Sequence, residues 1–480
     1  MDTKQDRHAD LVIVANRLPV RWEEPSEDPS EGEEEGGWVQ SPGGLVSALE
    51  PALTRYQGIA WIGWTGSDGA EDPFDLDALY LHPVTISQDE KVLFYDGMSN
   101  GTLWPLYHDK AVPAEFHRRW FDGYRRVNEH YAHAAAQVAN QGALVWVHDY
   151  QLQLVPAMLR ELRPDLRIGF FLHIPFPPPE LFVALPWRSQ LASGMLGADL
   201  VGFQTPASAA NFRRLVQQLN LADSVEGDLI KTPTGTARAS AYPIGISFNT
   251  YEEAAMSDQT TESARDLRAR LGTPHTVLLG VDRLDYTKGI DLRLRALGEL
   301  LDDGELNPAH VTMMQVAQPS RDDVEAYITL RAEVDRLVGQ INGDHSRVGF
   351  PVVHYLHQDV DFDDLMAMYR AADVMLVTPF RDGMNLVAKE YVATRYDFTG
   401  TLVLSEFAGA ADELSDALIV NPYDINALKN AIVKAVSMAP PEARERMERM
   451  RTAVKRNDAV GWAHGFLDDL AATSRQAPTK

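Results

Sequence analysis

The sequence predicts an α/β protein built from two doubly wound, Rossmann-like domains that face each other across a cleft. Three observations carry this. The 480 residues exceed what one core comfortably holds. Short apolar runs alternate with helix-period segments, the pattern of a mainly parallel sheet covered by helices. The alternation also occurs twice, in two series of similar length.

The first series begins with LVIVA (11–15) and continues with IAWIGW, KVLFY, ALVWVH, RIGFFLH and DLVGFQ, each read as a strand. Residues 115–139, EFHRRWFDGYRRVNEHYAHAAAQVA, have a helical pattern. The second series starts at TVLLGV (276–281) and runs through VTMMQV, VVHYL, VMLVTP, TLVLS and LIVNP. After its first strand, Ile290, Leu294, Leu297 and Leu301 fall on one helical face. The join is expected near 245–265, a polar and turn-rich stretch. The expected division is 1–245, 246–455 and a helical tail at 456–480. EEPSEDPSEGEEEGG (23–37) reads as a flexible acidic insertion.

Composition removes several function classes. Lys and Arg total 44 and Asp and Glu 69, so the formal charge is 44 − 69 = −25. Such an acidic surface argues against nucleic-acid and anionic-membrane partners. The 45% hydrophobic and 24% charged residues suit a soluble enzyme. Zero cysteines exclude disulfides, thiolate metal sites and a Cys nucleophile, and suit a cytoplasmic location. No apolar run approaches the ~18 residues of a membrane span, and the N-terminus reads as a first strand and not a signal peptide.

The residues with chemistry cluster after strands. In GVDRLDYTKGI (280–290), Arg283 follows a strand and Lys288 precedes Gly289 at a helix start. An Arg fork, a Lys and a helix N-terminus suit a diphosphate, while Arg283–Asp285 or Lys288–Asp291 surface pairs explain them equally well. Gly43 and Gly44 in SPGGL can wrap a phosphate with main-chain N–H groups or form a plain turn. In FRDGMNLVAKEY, Asp382, Gly383, Met384 and Asn385 form a turn that suits sugar hydroxyls. Glu390 either grips the paired hydroxyls of a ribose or merely complements the helix dipole. His148, Asp149 and His173 stand at strand tips, which in such sheets face the ligand. Arg17 and Arg321 each follow a strand and make a second anion site if they converge, with Tyr95 and Trp104 adding a hydroxyl, an indole donor and a stacking face. The pairs DLD (75–77) and DVD (359–361) read as surface acids, and no cluster has metal-ligand spacing.

Taken in order, ANRLPV, GGL, SNGTLWP, VHDYQL, FFLHIPFP, GVDRLDYTKGI, PSRDDV and TPFRDGMNLVAKEY resemble the trehalose-6-phosphate synthases, retaining glycosyltransferases of the GT-B fold. The resemblance spans roughly 10–470. It implies transfer of glucose from a nucleoside-diphosphate (NDP) glucose, such as UDP-glucose, to glucose 6-phosphate. It implies no cofactor, with NDP-glucose a substrate, no metal, and a homo-oligomer (dimer or tetramer). By motif, Arg283 and Lys288 bind the donor diphosphate as leaving group, and Gly43 and Gly44 lie on the loop closing over it. Glu390 holds the ribose, and Asp382, Gly383, Met384, Asn385, Leu386 and Val387 hold the donor glucose. Arg17, Tyr95, Trp104 and Arg321 bind the acceptor and its phosphate. Asp149 and His173 lie where the bond forms, with Asp149 also contacting the acceptor. The last helix is expected to return to the first domain. Alternatives are a relative using another phosphorylated acceptor, a same-fold sugar-nucleotide epimerase or hydrolase, and a regulatory homologue.

Overall fold

The computed structural model describes residues 8–23, 37–40, 49, 53, 55–56, 58–67, 69, 71–109, 112–321 and 324–473. The chain forms two compact units, one of residues 1–243 with 460–480 and the other of 244–459. Gly43, Gly44 and the insertion between Glu23 and Gly37 lie outside the described residues.

In the first unit the strands are β1 (Ala9–Arg17), β2 (Val20–Glu23), β3 (Gly37–Gln40), β4 (Ile59–Trp64), β5 (Phe74–Leu76), β6 (Leu79–Pro83), β7 (Ala139–His148), β8 (Arg167–Leu172), β9 (Leu200–Phe203), β10 (Ser224–Glu226), β11 (Leu229–Thr232) and β12 (Gly235–Ala241). Ten of them form one sheet among the described residues, in the order β10-β11-β12-β9-β8-β7-β1-β4-β6-β5. Its centre is parallel, and antiparallel pairs close both edges. Leu11 to Val14 of β1 are all buried, as expected of a central strand covered on both faces. Helix α1 (Arg118–Val138) covers β1 and β4.

The second unit holds β13 (Thr276–Arg283), β14 (Val311–Gln318), β15 (Val353–Leu356), β16 (Val374–Val377), β17 (Thr401–Ser405) and β18 (Leu418–Val420). The order is β15-β14-β13-β16-β17-β18, and every pair is parallel. This is the doubly wound nucleotide-binding order. Helix α2 (Ile290–Asp302) buries Ile290, Leu294, Leu297 and Leu301 in the core, each contributing roughly 1.5–3 kcal/mol. Helices α3 (Phe362–Ala371) and α4 (Leu386–Thr394) flank β16. The entry and exit of this unit are joined. Lys389 on α4 donates to the Ile244 carbonyl (2.7 Å) and to Glu413 (2.8 Å), and Glu413 also accepts from Asn457 (3.1 Å). The Ala459 N–H donates to the Ile246 carbonyl at 3.1 Å.

Helix α5 (Ala459–Ala472) groups with the first unit from Val460 onward. Its Phe466 stacks on Trp146 of β7 at 4.5 Å, and Trp462 packs edge-on to Phe171 of β8 at 5.1 Å.

Two expectations are corrected. KVLFY is not a strand: it lies in a helical stretch made of Gln88–Lys91 and a wide i→i+5 turn segment, Val92–Leu103. The start is a reciprocal cap, in which the Ser87 hydroxyl accepts from the Glu90 N–H and Glu90 accepts from the Ser87 N–H. The join at 245–265 is not turn-rich. It holds the helix Phe248–Met256 and the start of Asp258–Arg270, the second capped by Ser257 accepting from Thr260.

Candidate active site

In each unit the candidate residues gather where the strand order reverses, at the carboxyl ends of the parallel strands. In the second unit that point lies between β13 and β16. Arg283 ends β13 and is exposed. A short turn, Tyr286–Lys288, follows, capped by Asp285, whose carboxylate accepts from both the backbone N–H and hydroxyl of Thr287 (2.9 and 2.8 Å). Gly289 then takes a left-handed φ of +65°, and the Thr378 carbonyl lies against its α-carbon, so the site needs a residue without Cβ. Helix α2 begins at the next residue.

The counterions are not the sequence neighbours. Lys288 reaches Asp382 after β16 at 2.6 Å, with both side chains largely covered. Asp285 is fully buried and pairs with Arg321 (3.4 Å) and the Tyr327 hydroxyl (3.0 Å). Burial alone would raise its carboxyl. The charges of Arg321, Arg283 and Lys288 overcome that and hold it at about 2. Three cations thus surround two carboxylates, a local positive excess in a strongly acidic protein.

Arg321 is part of this cluster. It has φ +53°, its side chain is 7% exposed, and it contacts the Tyr327 hydroxyl. Arg17 belongs to the other unit. Beneath the turn, Arg293 is wholly buried. It donates to Asp282 (2.7 Å), Gln315 (2.9 Å), Thr378 (3.1 Å) and the Lys288 carbonyl (3.4 Å). Its one signal in the sequence is a charged residue on the apolar face set by Ile290, Leu294 and Leu297.

The turn after β16 is braced by a neighbouring loop: Asp382 donates to the Phe407 carbonyl (3.1 Å), and its own carbonyl accepts from Gly409 (3.2 Å). Met384 is buried, and its carbonyl accepts from Ala410 (2.8 Å). Asn385 caps α4 in a left-handed conformation and also donates to Asp382 (3.1 Å). Leu386 and Val387 open the helix. Glu390, one turn on, accepts from the Tyr369 hydroxyl of α3 at 2.8 Å. Burial pushes its carboxyl up, against the pull of the Tyr369 and Tyr251 hydroxyls. These two tyrosines were not singled out in the sequence.

In the first unit the reversal lies between β1 and β7. Arg17 ends β1, its carbonyl held by the Trp61 indole (3.0 Å), and its guanidinium lies 4.7 Å over the Trp64 ring. Trp64 meets Tyr95 edge-on at 6.5 Å. Trp64, missed in the sequence, therefore joins Arg17 to Tyr95. Trp104 is 4% exposed and packs on His108 (4.2 Å) and Tyr150 (5.5 Å), so its ring is spent on the interior. Asp149 has φ 73° and ψ 173°, a region nearly reserved for glycine and worth about 1–3 kcal/mol of strain. Its N–H donates to the Phe171 carbonyl (2.7 Å), and its carboxylate accepts from the His173 N–H (3.1 Å). The two strand tips are locked together in that strained form. Among the described residues, no group of three or more His, Cys, Asp or Glu is placed to hold a metal ion.

The second unit thus carries a cationic turn after β13, a braced turn after β16 and a carboxylate on the following helix. In comparison with known proteins, the family model for glycosyltransferase family 20 matches residues 9–472. The chain belongs to glycosyltransferase family 20. It is 50% identical over 474 residues to a trehalose-6-phosphate synthase of Mycolicibacterium smegmatis, covering 97% of this chain and 93% of that one. A trehalose-6-phosphate synthase of Mycolicibacterium vanbaalenii is 50% identical over 479 residues, covering 97% and 96%. Among solved structures, a UDP-forming α,α-trehalose-phosphate synthase from Burkholderia vietnamiensis superposes with a TM-score of 0.88 at 34% identity, covering 98% of each chain. An Escherichia coli structure bound with UDP-2-fluoro glucose gives 0.88 at 34%, covering 98% and 99%. The family 20 chain is thus matched over nearly its whole length, both units included.

Proposed function

We propose that this family 20 enzyme is an α,α-trehalose-6-phosphate synthase that transfers glucose, with retention, from UDP-glucose to glucose 6-phosphate. The observation that carries the reading is the Arg283–Lys288 turn, where with Arg321 three cations face the two carboxylates of Asp285 and Asp382, a positive excess that suits an anionic ligand. As the bond from the sugar to the diphosphate breaks, negative charge grows on the leaving phosphate. Fixed cations in a partly buried site stabilise that growth without reorganising. Lys288 then exchanges Asp382 for the diphosphate, which frees Asp382 and Asn385 for the glucose hydroxyls. The Glu390 carboxylate, oriented by Tyr369 and Tyr251, keeps lone pairs for the ribose hydroxyls. In the first unit, Arg17 binds the acceptor phosphate, and Asp149 and His173 hold the sugars near the new bond. The leaving phosphate takes the proton of the attacking hydroxyl on the same face, so both configurations are kept. Sugar nucleotides and sugar phosphates place the reaction in the cytoplasm.

The test is an assay for nucleoside-diphosphate release, crossing UDP-, ADP- and GDP-glucose with glucose 6-phosphate, glucose and no acceptor. Release should require glucose 6-phosphate. Release without acceptor would mean a hydrolase or epimerase, and silence would mean a different acceptor or a regulatory protein.

Gly66 makes room for the proposed phosphate ligand. It has φ +100°, and a Cβ there would overlap the Arg17 guanidinium. Gly66→Ala should therefore raise KM for glucose 6-phosphate by about 10–100-fold, the worth of one charge-assisted hydrogen bond, with KM for the donor nearly unchanged. An equal rise in both constants would count against Arg17 as the phosphate ligand.

A further inference from the structure

His148, the last residue of β7, is 1% exposed and lies between the tilted ring of Trp146 (4.6 Å) and the ring of His173 (5.4 Å). Its Nδ1 faces His173 Nε2 at 3.1 Å. Burial pushes the His173 imidazole down to about 3, and burial together with His173 holds His148 well below its usual range. Burial and the facing ring both favour the neutral forms, and between two neutral rings at this distance one proton lies between the facing nitrogens.

That proton has two possible homes. If it sits on His173, then His148 carries its own proton on Nε2, which is buried and has no hydrogen-bond partner among the described residues. A buried N–H with no acceptor is costly. If the shared proton sits on His148 Nδ1, the buried Nε2 is only a lone pair. The two indoles packed on this pair, Trp146 and Trp462, likewise have buried Nε1 atoms without partners, and an indole nitrogen is a donor only. A lone pair suits a place that already holds two unpaired donors, whereas a third donor does not.

We propose that His148 is a positioning residue: it donates from Nδ1 to His173 Nε2 and so fixes His173 as the tautomer protonated on Nδ1. His173 then presents Nδ1–H as a hydrogen-bond donor to a sugar oxygen. The Gln204 amide nitrogen stands 3.5 Å from Nδ1; two donors do not pair, so this tautomer requires the amide to present its oxygen to the Nδ1 proton, with nitrogen and oxygen exchanged. The inference rests on the reading of His173 as a residue at the sugars.

The test combines a spectrum with kinetics. In the full-length enzyme labelled with 15N-histidine, His173 and His148 are assigned by the signals lost in His173→Gln and His148→Asn. Nδ1 of both residues should show the shift of a protonated nitrogen and Nε2 of both that of an unprotonated one. A protonated Nε2 on His173 overturns the proposal. His148→Leu should lower kcat about tenfold with little change in either KM. His148→Asn, whose amide N–H takes the place of Nδ1–H, should restore most of it. Equal losses in two variants that keep the wild-type Tm overturn the proposal; if either fails to fold, the nitrogen shifts decide alone. Should His173→Gln leave kcat unchanged, the placing of His173 at the sugars fails, while the shifts still judge the tautomer.

Discussion

Lys288→Ala should lower kcat/KM for nucleoside-diphosphate release by about 10²–10³-fold, a loss of roughly 2.7–4 kcal/mol of transition-state stabilisation. The magnitude follows from the setting. A unit charge about 4 Å from a developing negative charge contributes roughly 4 kcal/mol at an effective dielectric of about 20. Lys288 is 13% exposed, so water and salt screen it little. Its partner Asp382 keeps the Asn385 amide at 3.1 Å, so part of its charge stays satisfied in the variant. Binding of the product UDP, measured calorimetrically, should weaken in the same variant. A loss below about threefold in kcat/KM would remove Lys288 from leaving-group stabilisation. On the proposed role of Arg283 and Lys288 at one phosphate group, the double alanine variant should lose less than the product of the single losses.

Arg293→Met should destabilise the second unit by about 3–5 kcal/mol, because it strands the Asp282 carboxylate in the core. The pair is 2.7 Å apart, with Arg293 0% and Asp282 2% exposed. Calorimetry should show the transition of this unit falling by about 10 °C. Pairing Arg293→Met with Asp282→Leu should recover most of the loss, since an apolar pair leaves no charge buried. A cost of the single change below 1 kcal/mol would mean that water reaches Asp282. Arg293 also donates to the Lys288 carbonyl, so the residual enzyme should show a raised KM for UDP-glucose.

The fold was legible because apolar runs buried on both faces leave a strong signal, and both sheets are parallel at their centres. KVLFY misled because a lysine and four apolar or aromatic residues are too short a run to reveal a period; the cue that would have settled it, Ser87 with Glu90 three residues on, lay just upstream. The cations Arg283 and Lys288 were legible from their place between a strand and a helix start. Their counterions were not. Asp382 lies 94 residues from Lys288, and Arg321 is 36 from Asp285, distances at which only the folded sheet brings side chains together. Trp64 and the tyrosines around Glu390 looked like ordinary core aromatics, and only the guanidinium and carboxylate beside them mark them out.

The Lys389 clamp has a consequence for how such proteins can be recombined. Ile244, where the chain enters the second unit, and Asn457, near where it leaves, are tied to one ammonium–carboxylate pair. Entry and exit are therefore a single doorway, and residues 244–459 form a continuous cassette with neighbouring ends. A segment with that property can be exchanged between relatives as one piece without moving a strand of the host sheet. On the proposed assignment of the donor to this cassette, donor preference is heritable separately from acceptor preference, and the lysine, the glutamate and the asparagine of the doorway travel with it.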